Sequence, residues 1–210
     1  MSDEGKPWQG YAAEAVEGTL FDRYERLSSH ALTAPFAHLL PTEPSRVLDI
    51  GAGTGRDAAW FASLGHTVVA AEPVEALRTF AEATHDSPRI TWIEDSLPDI
   101  PAILALGATY DLVWLSAVWM HLDDDERITG FPVLAKLLSP GGLLVFYLRH
   151  GPVPDGRRMF EVTADETKGF ALGMDLECIY EAETDALQPE NQREGVRWTR
   201  LVFRKPHPAA

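Results

Sequence analysis

A glycine-rich turn between an apolar run and a helical pattern constrains the fold more than any other feature of the sequence. Residues 47–50 favour a β-strand, and residues 56–62 predict a helix. Three glycines lie between them at alternate positions: Gly51, Gly53 and Gly55. Glycine adopts backbone angles closed to other residues and lets a ligand approach the main chain closely. A strand, turn and helix of this form predict a nucleotide-binding corner.

Two details of this turn indicate which ligand it holds. A dinucleotide fingerprint needs a third glycine where Arg56 stands, and no lysine follows in the pattern of a phosphate-binding loop. Asp49 ends the strand, where a carboxylate is unfavourable beside a pyrophosphate but suits a ligand that carries positive charge. S-adenosylmethionine carries a sulfonium and an ammonium group. The turn therefore favours S-adenosylmethionine as the cofactor, with S-adenosylhomocysteine as the product.

Composition narrows the class of protein. The 210 residues carry a net charge of −14, which disfavours DNA and RNA as partners. Cys178 is the single cysteine, so no internal disulfide is expected and a reducing compartment is predicted. No signal peptide and no membrane-length apolar run are visible, so we expect a soluble, cytoplasmic protein. No metal site is predicted, and the oligomeric state stays open.

After residue 45 the pattern alternates between strands and helices. Residues 11–40 predict a helix with one apolar face and a second short helix, so we expect residues 1–44 to form a helical cap on a core of residues 45–210. Strands are predicted over residues 46–50, 67–71, 89–93, 110–115, 143–148, 176–183 and 196–203. Helices are predicted over residues 55–64, 74–84, 100–106 and 163–173. A further helix should begin near Asp123 and be broken or kinked by Gly130 and Pro132.

This alternation predicts a parallel sheet. Repeated βαβ units with right-handed crossovers give a doubly wound, Rossmann-like sheet with helices on both faces. The last two strands follow one another without a helix between them, across the polar connection 185–195, and should pair antiparallel.

Ligands of such sheets bind beyond the carboxyl ends of the strands. Glu72 ends the second strand about 20 residues after the glycine turn, the spacing of an acid that accepts hydrogen bonds from ribose hydroxyls; the alternative is an exposed acid at a strand end. Asp95, beside Ser96, ends the third strand and is a candidate for the adenine amino group, or else a helix cap. Ser116 ends the fourth strand at the same edge.

Five segments in order resemble the class I S-adenosylmethionine-dependent methyltransferases of the small-molecule type. They are the glycine turn at 47–55, Glu72, Asp95, the fourth-strand segment 110–116 and the turn 138–142. The resemblance implies a seven-stranded sheet, mostly parallel with the last strand antiparallel. It also implies transfer of the methyl group to a small-molecule acceptor by in-line displacement, a reaction in which the protein mainly positions the reactants.

The loop after the fourth strand departs from the proline-containing signature of base and glutamine methyltransferases. It holds His121, which the resemblance offers as a base or an orienting donor, while a packing or capping histidine is an equal alternative. Arg149 and His150 follow the fifth strand and would suit a small anionic or hydroxylated substrate, or else face solvent. Trp119 would stack on a planar substrate or lie in a lid or the core. The lid candidates are Tyr11, Arg23 and Tyr24, and Trp198 is assigned to the core.

Two other functions stay open at this point. A nicotinamide-dependent oxidoreductase would need the third glycine and a catalytic tyrosine–lysine pair. A non-catalytic methyltransferase-like scaffold would usually lose the glycines or the ribose acid, and this chain keeps both. The methyl acceptor, whether oxygen, nitrogen or sulfur, has no motif.

Overall fold

The computed structural model describes residues 5–17 and 19–208, and these form one seven-stranded sheet. Its order is β3-β2-β1-β4-β5-β7-β6. The strands are β1 (Arg46–Ile50), β2 (Thr67–Ala71), β3 (Ile90–Ile93), β4 (Tyr110–Ser116), β5 (Leu138–His150), β6 (Glu177–Asp185) and β7 (Arg197–Arg204). Strands β1 to β5 pair parallel, and β7 pairs antiparallel with both β5 and β6. The predicted fold is confirmed.

Helices flank both faces of the sheet. They are α1 (Tyr11–Glu17), α2 (Thr19–Glu25), α3 (Ser29–Thr33), α4 (Arg56–Ser63), α5 (Glu75–Thr84), α6 (Pro101–Ala105), α7 (Asp124–Leu137), α8 (Ala164–Gly173) and α9 (Pro189–Arg193). Short 3₁₀ helices span Ala34–Leu39 and Trp119–His121. Two large buried apolar clusters lie on the sheet, and a smaller third one lies beneath the N-terminal helices. Of the two large clusters, one contains Leu115, Phe131 and Phe146, and the other contains Phe61, Trp114 and Val145.

Strand direction explains the two clusters. Successive side chains of a strand point to opposite faces, so neighbours such as Val145 and Phe146 of β5 enter different clusters. Strands buried on both faces read as continuous apolar runs, which is why β4 and β5 were recognisable from sequence. The sheet therefore serves as a rigid floor whose carboxyl edge carries the loops.

Three local predictions were wrong. Helix α7 is continuous from Asp124 to Leu137 with Pro132 inside it, and it begins at a capping box between Asp123 and Glu126. Strand β5 begins at Leu138 and includes the predicted Pro-Gly-Gly turn, and the register of the β4–β5 pair shifts between Tyr110 and Leu112. The polar connection contains a helix, α9. At β5, pairing with β4 and β7 outweighs the local turn signal of these residues.

The N-terminal segment precedes the sheet as a series of short helices. Helices α1 and α2 lie where a helix with one apolar face was predicted, and residue 18 between them lies outside the described residues. Leu20 is fully buried beside Val74 and Leu77, which flank or belong to α5. The N-terminal helices thus pack over the edge of the sheet at which β1 and β2 end. Among the described residues, no helix is long and apolar enough to cross a membrane.

Candidate functional site

A cavity of about 440 Å³ lies over the carboxyl ends of the central strands. Its floor is formed by the glycine turn and the ends of β2, β4 and β5, and its cover by α1, α2 and the segment around α9. It lies between β1 and β4, where the order of the parallel strands reverses direction. This is the place at which open α/β sheets bind their ligands.

The glycine turn closes tightly at the floor of this cavity. Gly51 and Gly53 have φ of +67° and +58°, in the left-handed region that favours glycine, and both line the cavity. A Cβ on Gly51 would lie 2.6 Å from a methyl group of Val118. Gly55 begins α4 with φ of +86°, but it faces Trp92 and not the cavity, so its predicted contact with the cofactor is corrected to a packing role.

Asp49 is buried at the end of β1 with its carboxylate facing the cavity side of the turn. The side chain is 1% exposed, and its Oδ2 atom has no hydrogen-bond partner among the described residues. Burial raises the pKa of this carboxyl well above its usual range, and the nearby acids Asp57 and Glu72 raise it further. An unsatisfied buried carboxylate of this kind fits a cationic ligand group.

Glu72 ends β2 and binds the glycine turn. Its Oε2 accepts from the Gly53 amide at 2.7 Å, and its Oε1 accepts from the Val74 amide at 2.8 Å. The residue is 4% exposed, and burial raises the pKa of its carboxyl to about 7. The same carboxylate thus fixes the turn and lines the cavity, where each oxygen keeps a second lone pair for a ligand hydroxyl.

Of the other residues predicted at strand ends, Ser116 and Ser96 lie at the cavity and Asp95 does not. Asp95 is not among the described residues that line the cavity, and its Oδ1 and Oδ2 accept from the amides of Ser96 and Ile103 at 3.0 and 2.8 Å. These bonds fit the capping alternative at the start of α6, and the contact of Asp95 and Ser96 with the adenine stays a prediction.

An ion pair that the sequence did not reveal supports the start of α4. Arg56 forms two contacts with Asp57, at 2.9 and 2.8 Å, and Asp57 also accepts from Ser29 at 2.5 Å and from the Trp114 indole at 3.1 Å. Burial favours a higher pKa for Asp57, but the guanidinium of Arg56 and these hydrogen bonds hold it below its usual value. Asp57 is thus a buried anion that ties α3, α4 and β4 together.

A second polar group on the cavity wall is built around His121. The imidazole Nδ1 lies 2.7 Å from the carbonyl oxygen of Arg158, and Nε2 lies 3.0 Å from the hydroxyl of Tyr11. A ring nitrogen facing a carbonyl must donate, so Nδ1 carries the proton and Nε2 accepts from Tyr11. Burial lowers the pKa of His121, and the positive charges of Arg149 and Arg158 lower it further. The imidazole is therefore neutral near pH 7.

A cluster of charged groups surrounds Tyr11. The guanidinium of Arg157 stacks over the Tyr11 ring at 3.1 Å and forms an ion pair with Glu14. Glu14 also accepts from Arg23 at 2.7 Å, and all these side chains line the cavity. Tyr24 lines it too, and burial and the nearby Tyr11 raise its pKa well above the usual value. The lid candidates Tyr11, Arg23 and Tyr24 do lie at the cavity.

The residues predicted after β4 and β5 divide between cavity and core. Arg149 lines the cavity and donates to the Pro152 carbonyl at 2.7 Å. His150 is turned to the other face of the sheet by strand alternation and contacts Thr199 at 2.7 Å, so its substrate role is corrected. Trp119 is fully buried against Phe131 and Phe146 and cannot stack on a substrate.

Several cavity residues were missed in the sequence. Trp198 was assigned to the core but is half-buried on the cavity wall. Arg157 and Arg200 also line the cavity. The pair Arg157-Arg158 is too short to indicate a basic patch, and Arg200 lies in a strand that carries no motif. The alternation of β7 was the available signal, because it places Trp198 and Arg200 on one face.

Comparisons with known proteins agree with this geometry. Residues 47–142 match the family described as a methyltransferase domain. An uncharacterized methyltransferase of Oceanobacillus iheyensis, OB1106, is 26% identical over 167 residues, which cover 75% of this chain and 71% of that protein. The tRNA 5-carboxymethoxyuridine methyltransferase of Escherichia coli is 31% identical over 112 residues, which cover 50% of this chain and 41% of that enzyme.

A solved structure is similar over most of the chain. It is that of Burkholderia thailandensis 1,6-didemethyltoxoflavin-N1-methyltransferase with bound 1,6-didemethyltoxoflavin and S-adenosylhomocysteine, with a TM-score of 0.68 and 21% identity. The match covers 93% of this chain and 87% of that one, and at this identity it shows the fold. The chain spans only 41% to 49% of the length of several further curated relatives.

Proposed function

We infer that the chain is a class I S-adenosylmethionine-dependent methyltransferase, and on that premise we propose that it methylates a small-molecule acceptor inside the cavity over β1, β4 and β5. The observation that carries the proposal is the continuity of this cavity. It extends from the glycine turn to the Tyr11–His121 pair beneath the N-terminal helices.

The residues at the β1–β2 end fit the cofactor. Asp49 offers a buried, unpaired carboxylate oxygen to an ammonium group, and Glu72 offers two oxygens to ribose hydroxyls. Gly51 and Gly53 leave the main chain open to close approach, and Ser96 and Leu97 would lie against the adenine. When bound there, S-adenosylmethionine supplies an electrophilic methyl group on its sulfonium.

The other end of the cavity holds groups that can position an acceptor and take up a proton. The acceptor's nucleophilic atom would donate its proton to the oxygen of Tyr11, whose own proton passes to Nε2 of His121. The Arg158 carbonyl holds the imidazole in the orientation and tautomer that this transfer needs. An acceptor that ionises unaided, such as a thiol, would need only the positioning.

Enclosure supports a small acceptor over a macromolecular one. The N-terminal helices reach the cavity through Tyr11 and Tyr24, and Gln188 beside α9 donates to the Arg23 carbonyl at 3.1 Å. These contacts form a cover, which we propose is the role of the N-terminal cap. A net charge of −14 opposes the binding of tRNA, the substrate in the name of one relative. The chain also keeps the glycines and Glu72, which non-catalytic domains of this kind usually lose.

Two binding experiments test the proposal. Calorimetry should show saturable binding of S-adenosylhomocysteine and no binding of NADH. In the presence of saturating S-adenosylhomocysteine, a metabolite library should then contain compounds that raise the melting temperature only when the cofactor product is bound. Binding of NADH alone would refute the cofactor site. Library compounds that act equally without S-adenosylhomocysteine would argue against an acceptor site beside it.

A further inference from the structure

Arg200 is a buried cation without a counter-ion. Its side chain lies on the cavity wall in β7, and the residue is 4% exposed. Among the described residues, no carboxylate pairs with its guanidinium and no hydrogen bond to that group is formed, and its Nε is buried without a partner. Arginine is rarely buried unpaired, because removing its charge from water is costly. The arrangement is incomplete without an anion.

The side chains around Arg200 give its guanidinium an aromatic ring to pack against but no hydrogen-bond acceptor. Its guanidinium carbon lies 5.4 Å from the centre of the Tyr147 ring, and the Tyr147 hydroxyl is already donating to the Leu32 carbonyl at 3.0 Å. The acids at this end of the cavity are solvent-exposed and belong to the segment around α9: Asp185, Glu190 and Glu194. Asp57, a buried acid that also lines the cavity, is already bound to Arg56.

Strand order separates Arg200 from the cofactor end. Arg200 pairs with Tyr147 of β5, and β5 is separated from β1 by β4. At about 4.8 Å between neighbouring strands, Arg200 lies roughly 14 Å along the sheet from Asp49. The ribose acid Glu72 is one strand further away on β2. Strand order reverses between β1 and β4. The guanidinium therefore lies on the β4–β5 side of this point, away from the proposed cofactor site.

Strand alternation brings a second cation and two aromatic rings to the same face. Arg149 pairs with Trp198, and Tyr147 pairs with Arg200, so all four side chains project from one side of the β5–β7 pair. All four line the cavity. Two guanidinium groups between aromatic rings form a suitable site for a planar molecule that carries an oxyanion.

We propose that the methyl acceptor is an anionic small molecule, an aromatic or other planar carboxylate, whose oxyanion is bound by Arg200 with Arg149 beside it. This inference rests on the proposed function, since it assigns the substrate class of the same cavity. It explains why a cation is buried without a partner in the free protein. The carboxylate would supply the missing counter-ion and place the rest of the acceptor towards Ser116 and the cofactor.

The test uses planar aromatic carboxylates and their primary amides as matched pairs, with the protein saturated with S-adenosylhomocysteine. Melting-temperature shifts should select carboxylates over the corresponding amides. Arg200→Met should weaken the selected carboxylates roughly 10- to 100-fold, the loss of a charged hydrogen-bonded pair. Arg197→Met is the matched control on the same strand, because Arg197 is 62% exposed, and it should leave their affinity unchanged.

Further readouts separate the possible failures. Arg200→Met should bind S-adenosylhomocysteine like the parent protein and melt no lower without ligand, since it removes an unpaired buried charge. Arg200→Lys should retain part of the preference for carboxylates. Amides binding as well as carboxylates, the absence of any carboxylate-selective compound, or an equal loss of S-adenosylhomocysteine affinity in Arg200→Met would each overturn the proposal. Failure of the parent protein to bind S-adenosylhomocysteine would instead refute the proposed function.

Discussion

Replacing Glu72 by alanine should separate cofactor binding from folding. In the free protein its carboxylate accepts from the amides of Gly53 and Val74 at 2.7 and 2.8 Å, and it lines the cavity with 4% of its surface exposed. We propose that the same two oxygens accept hydrogen bonds from the cofactor's ribose. The substitution removes these acceptors while leaving the sheet and its apolar core intact.

The structure gives the expected size of each effect. Losing a charged acceptor costs about 1–3 kcal/mol of binding free energy, so the dissociation constant of S-adenosylhomocysteine should rise roughly 5- to 150-fold. For stability two terms oppose each other. The raised pKa of Glu72, about 7 against 4.5, corresponds to about 3 kcal/mol of relief when the ionised carboxylate is removed. Leaving the amides of Gly53 and Val74 unpaired costs about 1–3 kcal/mol each.

Calorimetry at pH 8 should therefore show weakened binding in Glu72→Ala, while the free energy of unfolding of the free protein falls by no more than about 3 kcal/mol. The control is Glu94→Ala, since Glu94 ends the next strand but its side chain is 72% exposed and pairs with Arg78 at the surface. It should bind S-adenosylhomocysteine like the parent protein. An affinity of Glu72→Ala within twofold of the parent would show that Glu72 does not bind the ribose.

Three further predictions follow from the same geometry. Tyr11→Phe should lower kcat about tenfold or more without changing the affinity for S-adenosylhomocysteine, because His121 loses its partner towards the acceptor; unchanged kcat would exclude the pair from proton transfer. Affinity for S-adenosylhomocysteine should rise from pH 6 to pH 8, since the pKa of Glu72 is about 7 and its carboxylate accepts hydrogen bonds best when ionised. Calorimetry of Glu72→Gln should show a smaller rise in affinity. An equal rise in this variant would show that another group causes the pH dependence. In a denaturant titration, Trp119→Ala should lower the free energy of unfolding by about 3–5 kcal/mol, and a small loss would contradict the core position of Trp119. Trp198→Ala should lower the free energy of unfolding less. It should also weaken acceptor binding, which melting-temperature shifts would measure.

Sequence reasoning succeeded where local pattern and chain order determine the structure. The apolar runs of β1, β4 and β5 and the glycines between β1 and α4 led directly to a doubly wound sheet. Because parallel strands end at one edge, the order of the elements also placed Asp49, Glu72 and Ser116 along the cavity. The prediction failed at α7, which runs without a break from Asp124 to Leu137 with Pro132 inside it.

Side-chain direction was harder to predict than position along the chain. His150 follows Arg149 directly, yet alternation turns only Arg149 towards the cavity. Trp119 enters the core, one of the positions considered for it, whereas Trp198, which was assigned to the core, lies on the cavity wall. Arg200 could not be singled out, since a strand residue becomes informative only when the absence of a counter-ion is seen in three dimensions.

The measurement that tests the central claim most directly follows the methyl group itself. The protein would be incubated with S-adenosylmethionine labelled in its methyl group and with a cell extract separated into small molecules, RNA and protein. We expect the label in a small-molecule fraction, in amounts equal to the S-adenosylhomocysteine formed. Label transferred to RNA or protein, or S-adenosylhomocysteine formed with no labelled small molecule, would contradict this account.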